Sequence, residues 1–536
     1  MTFSEHIYYS FHRFWFQPFL CDYPSTPLTY KEVAYKIMQI HEMLKVMDVK
    51  PGDKIALCGK NSSNWGIVYL SIVSYGAVVV PLSTDFNYEK IEFLLKHSES
   101  KLFFVDDDVC QFLHPDNMNG LMAIYSLDSL KLILSTQMSE YAIDINRYVV
   151  SFFSKDKFCD SVYRYGDEEL VSINYTSGTS SNPKGVMIPS RAISSNLDFA
   201  LEVMHMLHEN VRTICLLPMS HMFGLMYDFL GAMVFGGTVH FLSCPLTGKN
   251  ISKLYREIKP DIVIIVPIII ENIVKDSIFK YTKNKYFTTL YSLFRSKINK
   301  LVKKILISAF GGNFYQIIIG GAYLDKEVER YLKELKIPFT VGYGMTECSP
   351  IITYNDHESF VLGSCGKVAP RMEIRIGDYD EVQVKGRNVM AGYYNNIKAT
   401  EESFTHDGWL RTGDIGRIDN EGNLYVIGRL NTVILGNDGK NIYPEDVEEI
   451  INKCELVKES LVFKDKKGRL SAYVYPNYDM LESYIIKGGN KESFLCEIKK
   501  TINKNLPPNQ EISEIIEQKT EFLKTPKMTI KRYLYH

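Results

Sequence analysis

The segment Tyr175-Thr176-Ser177-Gly178-Thr179-Ser180-Ser181-Asn182-Pro183-Lys184-Gly185 decides how the rest of the chain is read. An alternating, strand-like stretch from Leu170 to Tyr175 runs into it, and a helix-like run opens near Ser190. The segment is therefore expected to form a tight, exposed loop between two rigid elements. The small residues Ser177, Gly178 and Thr179 let backbone N–H groups approach an anion closely, while the hydroxyls of Thr176 and its neighbours and the ammonium of Lys184 add donors and charge. This is the chemistry of a polyphosphate cradle. It is not a Walker P-loop, because Lys184 is followed by Gly185 and Val186 and not by Ser or Thr. Composition alone also suits a plain Ser/Thr/Gly-rich loop, so the choice rests on the remainder of the chain.

With 536 residues and 46% hydrophobic content, the chain can fill several packing units. Its 61 basic and 63 acidic side chains nearly cancel, to a formal charge of −2, and leave no electrostatic footprint for general binding of nucleic acid. Ten cysteines are scattered without a Cys-x-x-Cys pair or a Cys/His cluster at zinc spacing, so reduced, mostly buried thiols are expected. The aromatic N-terminus is interrupted by Glu5, His6, His12 and Arg13, unlike a signal-peptide core. The longest apolar run, Ile262 to Ile270, is too short to span a bilayer and contains Pro267; it reads as a buried strand. These limits suit a cytoplasmic enzyme.

Strand-like and helix-like segments alternate through Lys54 to Cys58, Ile67 to Tyr75, Leu102 to Asp106, Thr213 to Pro218 and Gln316 to Ile319, which argues for an α/β architecture with helices covering sheets. Around Gly428-Arg429-Leu430-Asn431-Thr432 the texture changes to short strands, a turn at Gly436-Asn437-Asp438-Gly439 and a helix beginning at Pro444. The expected division is a large N-terminal multi-sheet α/β domain, 1–428, and a small α+β C-terminal domain, 429–536. Lysines and arginines interleaved with Tyr, Phe and Leu between Ser277 and Lys304 have two readings. One is a solvated helical face, and the other a weak peripheral contact with an anionic membrane through 280–304.

Further along lie Leu217-Pro218-Met219-Ser220-His221-Met222-Phe223-Gly224, Gly320-Gly321-Ala322, Gly342-Tyr343-Gly344-Met345-Thr346-Glu347, Gly408-Trp409-Leu410-Arg411-Thr412-Gly413-Asp414 and Gly428-Arg429. In this order, and together with the Ser/Thr/Gly segment, these blocks resemble the acyl- and aryl-CoA ligase branch of the adenylate-forming enzymes from about Thr29 to the C-terminus. The closest likeness is to bacterial AMP-forming long-chain fatty-acid–CoA ligases, which similarly carry a long basic helical insert between the positions of Pro267 and Gly320.

The resemblance implies ATP, Mg²⁺ and coenzyme A as cofactors and co-substrates, and roles that each block can fill chemically. Thr176 to Lys184 would hold the β- and γ-phosphates, and Glu347 a Mg²⁺ that bridges their oxygens. Gly320, Gly321 and Ala322 would let the purine lie against backbone, with Gly342, Gly344 and Thr346 beside it and Tyr343 stacked on its other face. Asp414, expected in a loop, would accept from both ribose hydroxyls, and Arg429 would pair with ribose or the α-phosphate. His221 would line the carboxylate entrance, or else is a satisfied, partly buried histidine. Phe223, Gly224 and Tyr227 would wall an acyl channel, although aromatic spacing of this kind usually means core.

The C-terminal part departs from the family pattern. A hinge Asp or Lys is replaced by Leu430, Asn431 and Thr432, and the Pro-Lys-Thr-x-x-Gly-Lys ending that carries the family's adenylation lysine reads Leu523-Lys524-Thr525-Pro526-Lys527-Met528-Thr529. Thr529 stands at the lysine position. Lys527 or Lys531 is expected to deliver the missing ammonium, with Lys524 a weaker candidate. The expected activity is formation of acyl-AMP from a fatty acid, followed by transfer to coenzyme A as a C-terminal domain pivots near Asn431. Two alternatives stand beside it: transfer to the phosphopantetheine arm of a carrier protein, and a protein that holds nucleotide or acyl-adenylate but forms adenylate slowly.

Overall fold

The computed structural model describes the chain apart from residues 114–119, 136–143, 177–182, 205–206, 208, 244–246, 275–284, 436–440, 466–467, 525–529 and 536, with backbone alone for 285–293, 435, 441, 509 and 533. It comprises two compact units, one of residues 1–177, 182–373 and 384–410, the other of 374–383 and 411–536. The first is a mixed α/β body with several sheets.

Its N-terminal helix, Phe3–Phe14 (α1), starts at a capping box in which Thr2 and Glu5 satisfy each other's backbone N–H groups, and buries Phe3, Ile7 and Phe11. The principal strands follow as β1 (Lys54–Cys58), β2 (Val78–Leu82), β3 (Leu102–Val105), β4 (Ala123–Ser126), β5 (Leu132–Ser135), β6 (Leu170–Thr176), β7 (Lys184–Pro189), β8 (Val263–Ile265), β9 (Ile317–Ile319), β10 (Phe339–Val341) and β11 (Gly392–Tyr393). Eight of them join one sheet in the order β11-β7-β6-β2-β1-β3-β4-β5, and β8, β9 and β10 form a separate parallel sheet. The runs Val-Val-Val-Pro-Leu in β2 and Leu-Phe-Phe-Val in β3 are apolar at nearly every position, as strands covered on both faces must be. Ala56, Val80, Phe103 and Ile173 meet in the resulting core.

Two expectations need correcting here. The helix expected near Ser190 is present as Ser190–Val203 (α2), but the Ser/Thr/Gly segment does not reach it directly: Lys184 opens the return strand β7, antiparallel to β6, which lies between them. Gly185 closes a segment whose composition reads as loop, and the strand exists because β6 supplies its backbone partners. Likewise Ile262 to Ile270 is no continuous strand. It divides at Pro267, where β8 gives way to the helix Pro267–Val274 (α3), because proline's fixed φ and missing N–H suit a helix's first turn.

The helix Lys285–Ala309 (α4) follows, and over its described side chains Phe294, Leu301 and Ile305 are exposed together with Lys297, Lys300 and Lys304. No helix among the described residues is long and apolar enough to cross a membrane.

In the second unit Leu410–Ile418 (β12) and Leu424–Arg429 (β13) pair antiparallel. Then comes the helix Pro444–Asn452 (α5), with proline in its first turn as the sequence indicates, and a sheet of Val457–Lys464 (β14), Leu470–Pro476 (β15) and Glu514–Glu517 (β16). Val447 and Ile451 of α5 share a core with Val462, Ala472 and Ile498. The turn expected at Gly436 to Gly439 lies outside the described residues.

Candidate active site

The β6–β7 hairpin closes on the pair Thr176 and Lys184, which stand opposite each other as the last partners of the ladder. Ser177, Gly178 and Thr179 lie outside the described residues. β7 also pairs with β11, setting Tyr393 beside Val186, and the Tyr394 N–H donates to the Gly185 carbonyl at 2.8 Å. The Lys184 ammonium lies 4.7 Å from the centre of the Tyr393 ring, and the Tyr393 hydroxyl donates to Glu347 Oε1 at 2.9 Å. The Met390 N–H donates to the Glu347 carbonyl at 2.8 Å, so the backbone around β11 holds the carboxylate-bearing turn as well. Lysine, tyrosine and carboxylate thus form one continuous contact.

Tyr393 is a residue that the sequence reading passed over. Nothing in Ala391-Gly392-Tyr393-Tyr394 marks it, since its place comes from pairing with a strand far away in the chain. Below the hairpin, Tyr175 Oη lies 2.7 Å from His97 Nδ1; burial lowers the His97 pKa and raises that of the Tyr175 phenol, which keeps both neutral at physiological pH.

At the carboxyl ends of β9 and β10 sit Gly320-Gly321-Ala322 and Gly342-Tyr343-Gly344, the region where open parallel sheets bind ligands. A Cβ on Gly320 would come within 3.0 Å of the Phe223 ring, so the missing side chain there accommodates an aromatic of the protein itself. Gly321 is exposed and Ala322 half-buried. Tyr343, half-buried, and Gly344 pair with the strand Ile351–Tyr354. A Cβ at Gly344 would sit 2.1 Å from the Pro350 carbonyl oxygen, a contact that only glycine permits. Thr346 and Glu347 follow in a 3₁₀ turn, Thr346–Cys348.

His221 leads into a seven-residue π-helix, Gly224–Leu230, and its carbonyl accepts from the Leu225 N–H at 3.0 Å. Such helices recur at functional sites. Tyr227 belongs to the core: it is buried, and its hydroxyl donates to Asn196 Oδ1 at 3.1 Å.

In the second unit Asp414 stands within strand β12 and not in a loop, another correction. It lies directly across from Arg429 of β13, and the two side chains form an ion pair of 2.9 Å, with Asp414 buried and Arg429 half exposed. Near the C-terminus the Lys531 N–H donates to the Leu523 carbonyl at 2.8 Å, and Lys524 pairs with Glu459. Lys524 is therefore already committed within its own unit. Lys527 and Thr529 lie outside the described residues.

The donors present fit a polyphosphate with its magnesium. Mg²⁺ that arrives with phosphates keeps water and needs only one or two protein carboxylates. Glu347 supplies one such carboxylate, 9% exposed and oriented by Tyr393. Among the described residues no group of three or more His, Cys, Asp or Glu side chains forms a metal site of its own.

A family profile described as AMP-binding enzyme matches residues 16–394. The chain belongs to the AMP-binding enzyme family. This AMP-binding enzyme is 26% identical over 490 residues to a long-chain-fatty-acid–CoA ligase of Mycobacterium bovis, a match that covers 87% of the chain and 80% of that protein. It is equally, 26%, identical over 492 residues to a 2-succinylbenzoate–CoA ligase of Listeria monocytogenes, with 89% of the chain and 91% of that protein covered. Among solved structures it is similar to O-succinylbenzoate coenzyme A synthetase from Bacillus subtilis in complex with ATP and magnesium ion, with a TM-score of 0.73, 20% identity and 98% of each chain covered. At that identity the likeness shows the fold. The mixed α/β fold with a large multi-sheet N-terminal part, expected from the sequence, is thereby shown.

Proposed function

We propose that this AMP-binding enzyme activates a fatty acid with ATP and passes the acyl group to coenzyme A. A carboxylate oxygen attacks the α-phosphorus and pyrophosphate leaves; the coenzyme A thiolate then attacks the acyl carbon of the acyl-AMP, and AMP leaves. The coarser reading, an acid–CoA ligase, is supported by the family and by relatives that are CoA ligases of carboxylic acids. The fatty-acid assignment is supported by relatives of the long-chain class, while the Listeria relative favours an aromatic acid as the second reading.

The observation that carries the proposal is the Lys184–Tyr393–Glu347 contact at the mouth of the β6–β7 hairpin. In this reading Thr176, Ser177, Gly178, Thr179 and Lys184 neutralise the outer phosphates before two anions are brought together. Mg²⁺, when bound with ATP, would neutralise phosphate charge and strengthen the leaving group. Glu347 would hold it, oriented by Tyr393. Tyr343 and the exposed backbone at Gly321 and Ala322 would take the purine, Asp414 the ribose hydroxyls and Arg429 ribose or the α-phosphate. Lys531 or Lys527 would supply the ammonium absent at Thr529, with residues 429–536 pivoting near Asn431 between steps. The exposed Phe294, Leu301 and Ile305 among the lysines of α4 suit contact with an anionic membrane, from which the acid would be drawn.

The test is pyrophosphate release with a panel of acids from acetate to oleate, with benzoate and 2-succinylbenzoate added, in the presence and absence of coenzyme A. Turnover rising with chain length, and a thioester formed only when coenzyme A is present, is expected. Turnover confined to the aromatic acids overturns the substrate. Thioester formed only on a carrier protein overturns the acceptor, and no release with any acid overturns the enzyme.

A further inference from the structure

The pivot that lacks its usual charge has a hydroxyl in its place, and that hydroxyl meets a carboxylate. Thr432 Oγ1 lies 3.1 Å from Glu445 Oε1 and 3.0 Å from the Arg429 carbonyl oxygen. A hydroxyl has one proton, so Thr432 donates to one of these acceptors at a time. Glu445, in the first turn of α5, offers the same Oε1 to the Arg532 guanidinium at 3.5 Å. Its other oxygen, Oε2, is buried and without a hydrogen-bond partner among the described residues. It faces Gly428, where a Cβ would stand 3.6 Å away. One carboxylate oxygen thus serves two donors while its twin serves none, an arrangement that a small rotation of the carboxylate or of the pivot changes.

Arg532 carries this change to the C-terminal segment. Its guanidinium also pairs with Glu448, one turn further along α5, whose second oxygen accepts the Val462 N–H at 2.6 Å. Lys531 is the residue just before it, tied through its backbone to Leu523, and the opposite arm is held where Lys524 pairs with Glu459. The lysine-bearing segment is therefore fastened to α5 on one side and to β14 on the other.

We infer that Glu445 couples the pivot to the C-terminal lysine segment, which makes Thr432, Glu445 and Arg532 positioning residues for adenylation. This rests on the two-step reading proposed above. When Thr432 donates to Glu445, the carboxylate is shared; when Thr432 turns to the Arg429 carbonyl, Glu445 is left to Arg532 alone and the segment is held more tightly. The state of the pivot is thereby reported to Lys531 within one unit.

The experiment uses the full chain and two readouts. Amide hydrogen exchange over 523–535 needs no catalysis: Glu445→Gln is expected to quicken it and Thr432→Val to slow it, each by about threefold or more, with Thr432→Ser like the wild type. The second readout is the ratio of pyrophosphate release without coenzyme A to thioester formation from supplied acyl-AMP. Each of Thr432→Val and Glu445→Gln is expected to shift that ratio about tenfold, and the double variant no further than the larger single effect. Exchange over 523–535 that ignores Thr432→Val overturns the coupling. Half-reactions that fall together, or effects that simply multiply, reduce these residues to structural ones and overturn the positioning role. If the wild type forms no adenylate with any acid, the proposed function fails, and the exchange measurement alone decides the coupling.

Discussion

The hairpin end of the first unit and the lysine segment of the second are built in different ways. Thr176, Lys184, Tyr393 and Glu347 stand on strands and a turn tied by backbone hydrogen bonds, so their positions follow from the ladder β6-β7-β11. Lys531 stands on a short segment that has a single bridge, at Lys524 and Ile530, with the Lys531 N–H on the Leu523 carbonyl, and is otherwise fastened by side-chain ion pairs, Lys524 with Glu459 and Arg532 with Glu445 and Glu448. A group held by a ladder is preorganised and stays put. One held by ion pairs can be released when a partner changes, which suits a step that only one half of a reaction uses.

The largest expected effect lies in the rigid region. Glu347→Gln keeps an acceptor for Tyr393 but removes the charge; pyrophosphate release should fall by about 10³, and Mn²⁺ signals in the presence of protein and ATP should lose their bound component. Next comes the lysine. Of Lys527→Ala and Lys531→Ala, at least one should lower pyrophosphate release by about 10² while thioester formation from acyl-AMP persists. Lys524→Ala should cost far less. If both Lys527 and Lys531 prove dispensable, the replacement of the lysine at Thr529 is wrong and the contrast between the two regions loses its second half.

Tyr393→Phe preserves the ring under Lys184 and deletes only the hydrogen bond to Glu347. A loss of about tenfold in activity, with a weaker response to Mg²⁺, is expected, and an unchanged Mg²⁺ dependence would remove Tyr393 from the site. The smallest effect concerns stability. Burial pushes the Glu448 carboxyl up from its ordinary value of 4.5 to about 7, against the pull of Arg532. The folded state then binds a proton that the unfolded chain has released, so this contribution is present below pH 4.5 and is lost as the pH rises through about 7. Thermal melts across that range should show wild type losing stability relative to Glu448→Gln as the pH rises. A parallel course for the two proteins would mean that Glu448 stays charged throughout, held by Arg532.

The candidate site can be read in the sequence where its chemistry is local. Small and hydroxylated residues before Lys184, glycines after β9 and β10, and a carboxylate after a glycine-rich turn all state their purpose within a few residues. The errors arose where a local signal had two outcomes. Lys184 and Gly185 were expected in the loop and open strand β7 because β6 lies beside them, and Asp414 was expected in a loop and lies across a ladder from Arg429.

The order and spacing of side chains were enough to determine the fold class and the membership of an AMP-binding family, since each depends on which residues are present along the chain. Pairing partners were decided only in three dimensions. That Tyr393 meets Glu347 and Lys184, that Lys524 is taken by Glu459, and that one oxygen of Glu445 is claimed by both Thr432 and Arg532 depend on strand register and helix placement. Contacts between distant segments are selected by the packing of whole sheets and helices, and no short window of sequence contains that information.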